Sequence, residues 1–325
     1  MELFAMFIAS VIVYGIPLLY GTVGEIITEK SGSLNLGVEG IMAVGAIIGY
    51  LVGSKADSMF VAMLFAFLAA AFMGLIFAVL TVTLKANQNV TGLTITTFGL
   101  GFYFFIGKAV GSDWKLLGGN LKEAYANIDI PLLSKIPYVG DMFFSHNIFV
   151  YLGIIIAIVV FIYLFKTKAG LKTRAIGENP AAADAAGINV NLYKYLNIII
   201  GAGIMGLGGL AMGLKMDGSF EGSNCWINGY GWIAIALVIF AKWNPLIAIA
   251  GTFVFGFFNS LQVYSGSFAT AYPNAFGWLA SIPTEFYKAL PFIITALVLI
   301  ISSIRKKKVP DEPTAMGLNY YREDR

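Results

Sequence analysis

Asn35 and Glu39 stand four residues apart at the start of an apolar run, so a helix there carries both on one face. A carboxylate inside a membrane segment is costly and marks a functional position by default. There Glu39 would line an aqueous path and Asn35 would offer its amide to a polar solute. The structural alternative is that Glu39 caps nearby backbone N–H groups or pairs with Lys30. A second set is Asn224 and Asn228 around Trp226, with Trp232 close by. An indole ring stacks on a flat heterocycle, and it also anchors span ends at the membrane interface. A third set is Asn87-Gln88-Asn89 followed by Thr91, Thr94, Thr96 and Thr97. Such polarity in a span suits a helix that lines a cavity or bonds to another helix.

These groups need elements that hold them in lipid. Of the 325 residues, 58% are apolar and 12% charged, and the mean hydropathy is +0.79. A soluble domain carries about 25% charged residues, so the surface here must face hydrocarbon. A span takes about 20 mostly apolar residues. The expected fold is all-α, with about nine spans (eight to ten) near residues 3–22, 36–53, 59–84, 90–110, 147–165, 192–213, 227–241, 245–264 and 287–304. Residues 1–304 then form one membrane domain and 305–325 a tail. Met1-Glu2-Leu3 brings no basic leader, so the first run is expected to be a retained span rather than a signal.

Lysine and arginine assign the sides. Lys166, Lys168, Lys172, Arg174 and Lys194 surround one loop, and Arg305-Lys306-Lys307-Lys308 opens the tail. Threading back from these puts Lys30, Lys85 and Lys242 on the same side. The expectation is a cytoplasmic C-terminus, an external N-terminus and an external loop at 111–146. Gly32–Gly49 and Gly222–Phe240 share a pattern of Gly-Ser, asparagine and glycines before an apolar helix. In this threading they run in opposite directions, as inverted transporter repeats do. Glycines at four-residue spacing (Gly45, Gly49, Gly53; Gly209, Gly213) permit close helix packing.

The loop at 166–190 has its own punctuation. Asn179 is a good N-cap, Pro180 suits the first helical position, and the run from Ala181 to Ala186 favours helix. Gly187 is a natural stop. A helix of about two turns follows, too short to be stable without a partner surface.

Gly170 to Ile188, with Arg174, Gly177, Glu178, Asn179, Pro180, Ala181, Ala182 and Gly187, resembles the coupling loop of ABC importer permeases of the branched-chain amino acid, ribose and nucleoside group. Gly24 to Ala46 is similar to the N-terminal signature of its nucleoside and simple-sugar branch. The resemblance implies a permease in the bacterial inner membrane, for nucleosides or else simple sugars. It implies a separate cytoplasmic ATPase holding the ATP and Mg, a second permease chain, and a lipid-anchored external binding protein. Asn35, Glu39, Asn89, Thr91, Thr94, Asn224, Trp226 and Asn228 are the expected pathway residues. A stand-alone secondary transporter is the competing expectation; its ion site would fall to Glu39, read here as the one carboxylate buried in an early span.

Several chemistries are excluded or unsupported. No G-x-x-x-x-G-K-[ST] stretch occurs, so the chain has no P-loop for ATP. The lone histidine, His146, and the lone cysteine, Cys225, leave no histidine-built metal site and no intrachain disulfide. His146 is expected in a loop at a membrane surface. No basic stripe is large enough for nucleic acid; the basic run at 305–308 suits anionic lipid.

Overall fold

The computed structural model describes residues 2–111, 119–131, 133–134, 136–216, 218, 220, 222, 224–304 and 312–322. Fourteen helices run along the described chain: α1 (Glu2–Lys30), α2 (Val38–Ala56), α3 (Met59–Ala78), α4 (Gln88–Val110), α5 (Gly119–Ala124), α6 (Val139–Phe143), α7 (Ile148–Lys166), α8 (Lys168–Glu178), α9 (Pro180–Ala185), α10 (Val190–Lys215), α11 (Tyr230–Phe240), α12 (Pro245–Ala271), α13 (Pro273–Phe276) and α14 (Thr284–Ile304). The short strands β1 (Ile128–Asp129) and β2 (Ser145–His146) pair antiparallel between α5 and α7. Among the described residues the fold is thus all-α apart from this ribbon.

Seven helices, α1, α2, α3 with its π-helical extension Val79–Thr83, α4, α7, α10 and α12, are long and apolar enough to cross a membrane. The expected spans at 227–241 and 287–304 differ from these. α14 has 21 residues, enough for a crossing by length, although several of its side chains lie outside the described residues. α11 has only 11. At about 1.5 Å per residue it covers about 16 Å, half of the ~30 Å core. Residues 227–229, expected as span, are bend and turn.

α1, α2 and α10 form the buried centre. Small residues let them touch: a methyl on Gly45 would stand 2.5 Å from the Gly206 Cα, and one on Gly201 would stand 2.5 Å from the Gly24 carbonyl oxygen. α3, α7 and α12 pack around this centre and expose side chains such as Phe60, Val159 and Val254 on their outer faces. Those residues need no polar neighbour because lipid is their solvent. The central packing crosses over, with α1 against α11 and α10 against α2. Two related halves would pair in this way.

One end of the bundle gathers the basic loops. Asn319 of the tail donates to the Lys85 carbonyl at 2.6 Å, and Ala315 donates to that of Gly177 at 2.9 Å. The Trp243 indole, next to Lys242, donates to the Glu29 carboxylate at 2.5 Å, and Lys30 lies 5.8 Å from that ring. The loops that the lysine and arginine pattern puts together therefore meet on one face. The basic run 305–308 itself lies outside the described residues.

Candidate functional site

α11 fixes the depth of Glu39. Its last turn ends beside Glu29 and Lys30, at the basic end of α1. Eleven residues earlier its first turn meets Glu39, about 16 Å along the helix from that end. The Glu39 carboxylate accepts the Gly229 N–H through Oε1 and the Gly231 N–H through Oε2, both at 2.7 Å. These are orphan donors of a helix N-terminus, and the helix dipole favours a negative group there. Glu39 is only 4% exposed. Of the two alternatives open from sequence, the backbone cap is the one formed, and the capped helix comes from the other half of the chain.

The chain between α1 and α2 turns back into the bundle to reach this depth. The Asn35 N–H donates to Glu25 Oε1 at 3.1 Å, and the Asn35 side-chain oxygen accepts from Gly37 at 2.8 Å. Thr96 donates to the Leu36 carbonyl at 2.9 Å, which ties the re-entrant segment to α4. Gly40 and Gly99 pack backbone to backbone. Asn35 thus braces this segment from a buried position.

Glu25 and Glu29 are further carboxylates in this region that sequence reasoning missed. Both are buried, and Glu25 Oε2 has no hydrogen-bond partner among the described residues. They escaped because the first span was expected to stop at residue 22, whereas α1 continues to Lys30. The i, i+4 spacing that singled out Asn35 and Glu39 holds for this pair as well.

The remaining expected residues separate into two environments. Trp226 is 2% exposed and sits edge-on to Tyr50 and Tyr103, with centroids at 5.3 and 5.5 Å. It packs the core at this point. Asn224 and Asn228 are exposed, and Asn228 adopts a left-handed φ of 40° just before α11. On α4, Asn89, Thr94 and Thr97 face out of the bundle, while Thr91 turns inward and bonds the Asn87 carbonyl at 2.8 Å. Thr94 and Thr97 bond carbonyls one turn back, so their donors are satisfied and their acceptor lone pairs stay open. Gly101, one turn on, has open space beside it. His146 is not at a surface. It is buried in β2, with Nε2 2.9 Å from the Met142 carbonyl. Among the described residues no cluster of histidine, cysteine and carboxylate fit for a metal occurs.

The loop between α7 and α10 holds two helices where one was expected. α9 has the expected ends: Asn179 Oδ1 accepts from Ala182 at 2.9 Å, Pro180 opens the helix, and Gly187 follows it at φ 79°. α8 precedes it, capped by Thr167, which accepts from Gly170 at 3.0 Å. α8 is keyed to the bundle by Tyr163, whose hydroxyl reaches Thr173 at 2.9 Å and Asn197 at 3.0 Å. Gly177 lies against the Lys30 carbonyl with no room for a side chain. Arg174 stacks its guanidinium 5.2 Å from the Phe165 ring. Glu178, Asn179, Ala182 and Ala185 sit on the water-facing flank, where Ala181 is half-buried.

Residues 7–301 match the family described as branched-chain amino acid transport system, permease component. The chain is similar to the nucleoside ABC transporter permease protein NupC of Lactococcus lactis, 32% identical over 96% of both chains. It is equally similar to the guanosine ABC transporter permease protein NupQ of Bacillus subtilis, 32% identical over 100% of this chain and 99% of the relative. The glucose ABC transporter permease protein TsgB13 of Haloferax volcanii is 26% identical over 76% of this chain and 67% of its own length. No solved structure matches significantly. A lipid-facing bundle built around three small-residue helices, matched from its first span to its last, belongs to the permease component family of the branched-chain amino acid transport systems.

Proposed function

We propose that the chain is the membrane subunit of an ATP-driven importer for nucleosides. The observation that carries this reading is 32% identity, over nearly the full length, to two nucleoside permeases. The capped α8–α9 pair supports it, as a peg for a motor on another chain. In this reading ATP and Mg belong to a separate cytoplasmic ATPase. A second, unlike permease chain and a lipid-anchored external binding protein complete the complex. The basic face is cytoplasmic, the C-terminus lies inside and the N-terminus outside, in the bacterial inner membrane.

α8 and α9 receive the movement of the ATPase. Gly177 passes it to the end of α1, and Tyr163, Thr173 and Asn197 pass it to α7 and α10. The solute path runs along the outward face of α4, past Asn89, Thr94, Thr97 and Gly101, with Thr91 behind it. Asn224 and Asn228 line the external approach to α11. Asn35, Glu39 and Trp226 hold the wall of that path rather than touch the solute. Hydroxyls and one glycine on an exposed membrane face suit a polar solute better than lipid.

A glucose permease among the relatives supplies the second reading, a simple-sugar importer. Uptake of radiolabelled uridine, guanosine, ribose and glucose by cells making the whole complex separates the two. Nucleoside uptake is expected; uptake of the sugars alone would replace the first reading by the second.

A further inference from the structure

The described tail folds back across the basic face onto α8 and α9. Thr314 Oγ1 donates to Glu178 Oε2 at 2.8 Å, beside the Ala315–Gly177 backbone bond. Further on, the Tyr320 hydroxyl donates to Asp184 Oδ2 at 2.7 Å, and Arg322 Nε lies 3.2 Å from the same oxygen. Tyr320 also packs on the small apolar cluster of Ile176, Ala183 and Val190. Between these anchors Asn319 holds the Lys85 carbonyl, and Gln88 of α4 reaches Asn319 Oδ1 at 3.4 Å. An exposed ion pair such as Arg322–Asp184 contributes little. The backbone bond, the buried Ala315 and the seated tyrosine ring fix the path of the segment.

Ordering a chain segment costs about 1–2 kcal/mol per residue, yet the tail leaves apolar surface facing water. Leu318 is 62% exposed and Tyr321 47%. Both border a cavity of about 330 Å³ whose other wall is Glu178, Asn179, Pro180 and Ala181. A wider concavity, about 610 Å³, opens between Asp184, Gly187 and Asn189 on one side and Tyr321 and Arg322 on the other. Tail and α9 thus make one continuous concave surface.

We propose that the tail is the second half of the surface that receives the ATPase, with Leu318 and Tyr321 as its apolar contacts. This rests on the reading of α8–α9 as the coupling segment, and the occupant follows from continuity with that segment. The partner presents an apolar knob to the cavity between α9 and Leu318. Through Asn319, Gln88 and the Lys85 carbonyl the same contact reaches the start of α4, on the path proposed for the solute.

The test uses the full complex in a Cys225→Ser background, with single cysteines from Ala181→Cys or Leu318→Cys and a thiol-to-amine cross-linker. Both positions are expected to yield an adduct with the ATPase. An adduct from 181 but not from 318, or capture of lipid alone at 318, overturns the role of the tail and leaves the coupling segment standing. An adduct from 318 alone removes the coupling role of α9 and overturns the shared surface. No adduct from either removes both. Leu318→Asp, at a surface position that folding does not need, is expected to lower ATP-driven uptake at least tenfold at unchanged membrane level. Unchanged uptake contradicts the proposal.

Discussion

Glu39 and Gly231 come from opposite halves of the chain, 192 residues apart, and meet through a 2.7 Å hydrogen bond at the start of a helix too short to cross the membrane. A methyl on Gly231 would fall against the Glu39 backbone itself. The carboxylate holds the broken helix in place, and the glycine lets it come close enough to do so.

Glu39→Ala removes both acceptors and leaves the Gly229 and Gly231 N–H groups buried. Loss of a helix N-terminal cap costs about 0.5–2 kcal/mol, and burial without water moves the cost to the upper end. The variant is expected to melt at lower temperature in detergent. Glu39→Gln, with one acceptor oxygen left, should fall between the two. Equal melting of all three proteins would mean the cap carries no stability.

Gly177→Ala pushes α8 away from the Lys30 carbonyl and from Ala315. Insertion and amount in the membrane are expected to stay normal, because the packing of the spans is untouched. ATP-driven uptake should fall at least tenfold. Arg174→Ala, which frees the Phe165 ring, is expected to show the same split less severely. Normal uptake by both variants removes the coupling assignment.

Gly101→Leu tests the path along α4. Open space lies beside this glycine, so the larger side chain is compatible with the folded chain. It would narrow a path that runs there. Uptake is expected to fall several-fold while the complex still assembles; a leucine that leaves uptake unchanged places the path elsewhere.

His146 gives the segment between α4 and α7 a pH dependence. Burial holds its imidazole below the ordinary 6.5. Below about pH 6.5 the unfolded chain therefore takes up a proton that the folded chain resists, and stability falls as pH falls. Between about pH 7.5 and 5.5 the melting temperature of the native chain should drop more steeply than that of His146→Gln. Parallel curves would show that His146 does not titrate in this way.

The membrane class, the order of the spans and the cap residues of α9 were legible in sequence, because each rests on local chemistry: hydropathy, an asparagine before a proline, a glycine after an alanine run. What sequence left hidden depends on contacts far along the chain. Glu25 and Glu29 look like loop carboxylates until α1 is seen to run to Lys30. Trp226 looks like an interfacial anchor or a stacking platform until Tyr50 and Tyr103 are found at its ring. The start of α11 is held by the cap that Glu39 supplies, and no window of sequence around Tyr230 contains Glu39. α8 escaped notice because its charged surface gives no apolar run, and its stability comes from Tyr163 and Asn197 on other helices.

The most direct measurement is radiolabelled nucleoside uptake into liposomes carrying this chain with the proposed partner permease, binding protein and ATPase. Uptake is expected only with ATP and the ATPase, and is expected to vanish when Gly177→Ala replaces the native chain. Accumulation by this chain alone under an ion gradient, with no ATPase present, would contradict the account at its centre.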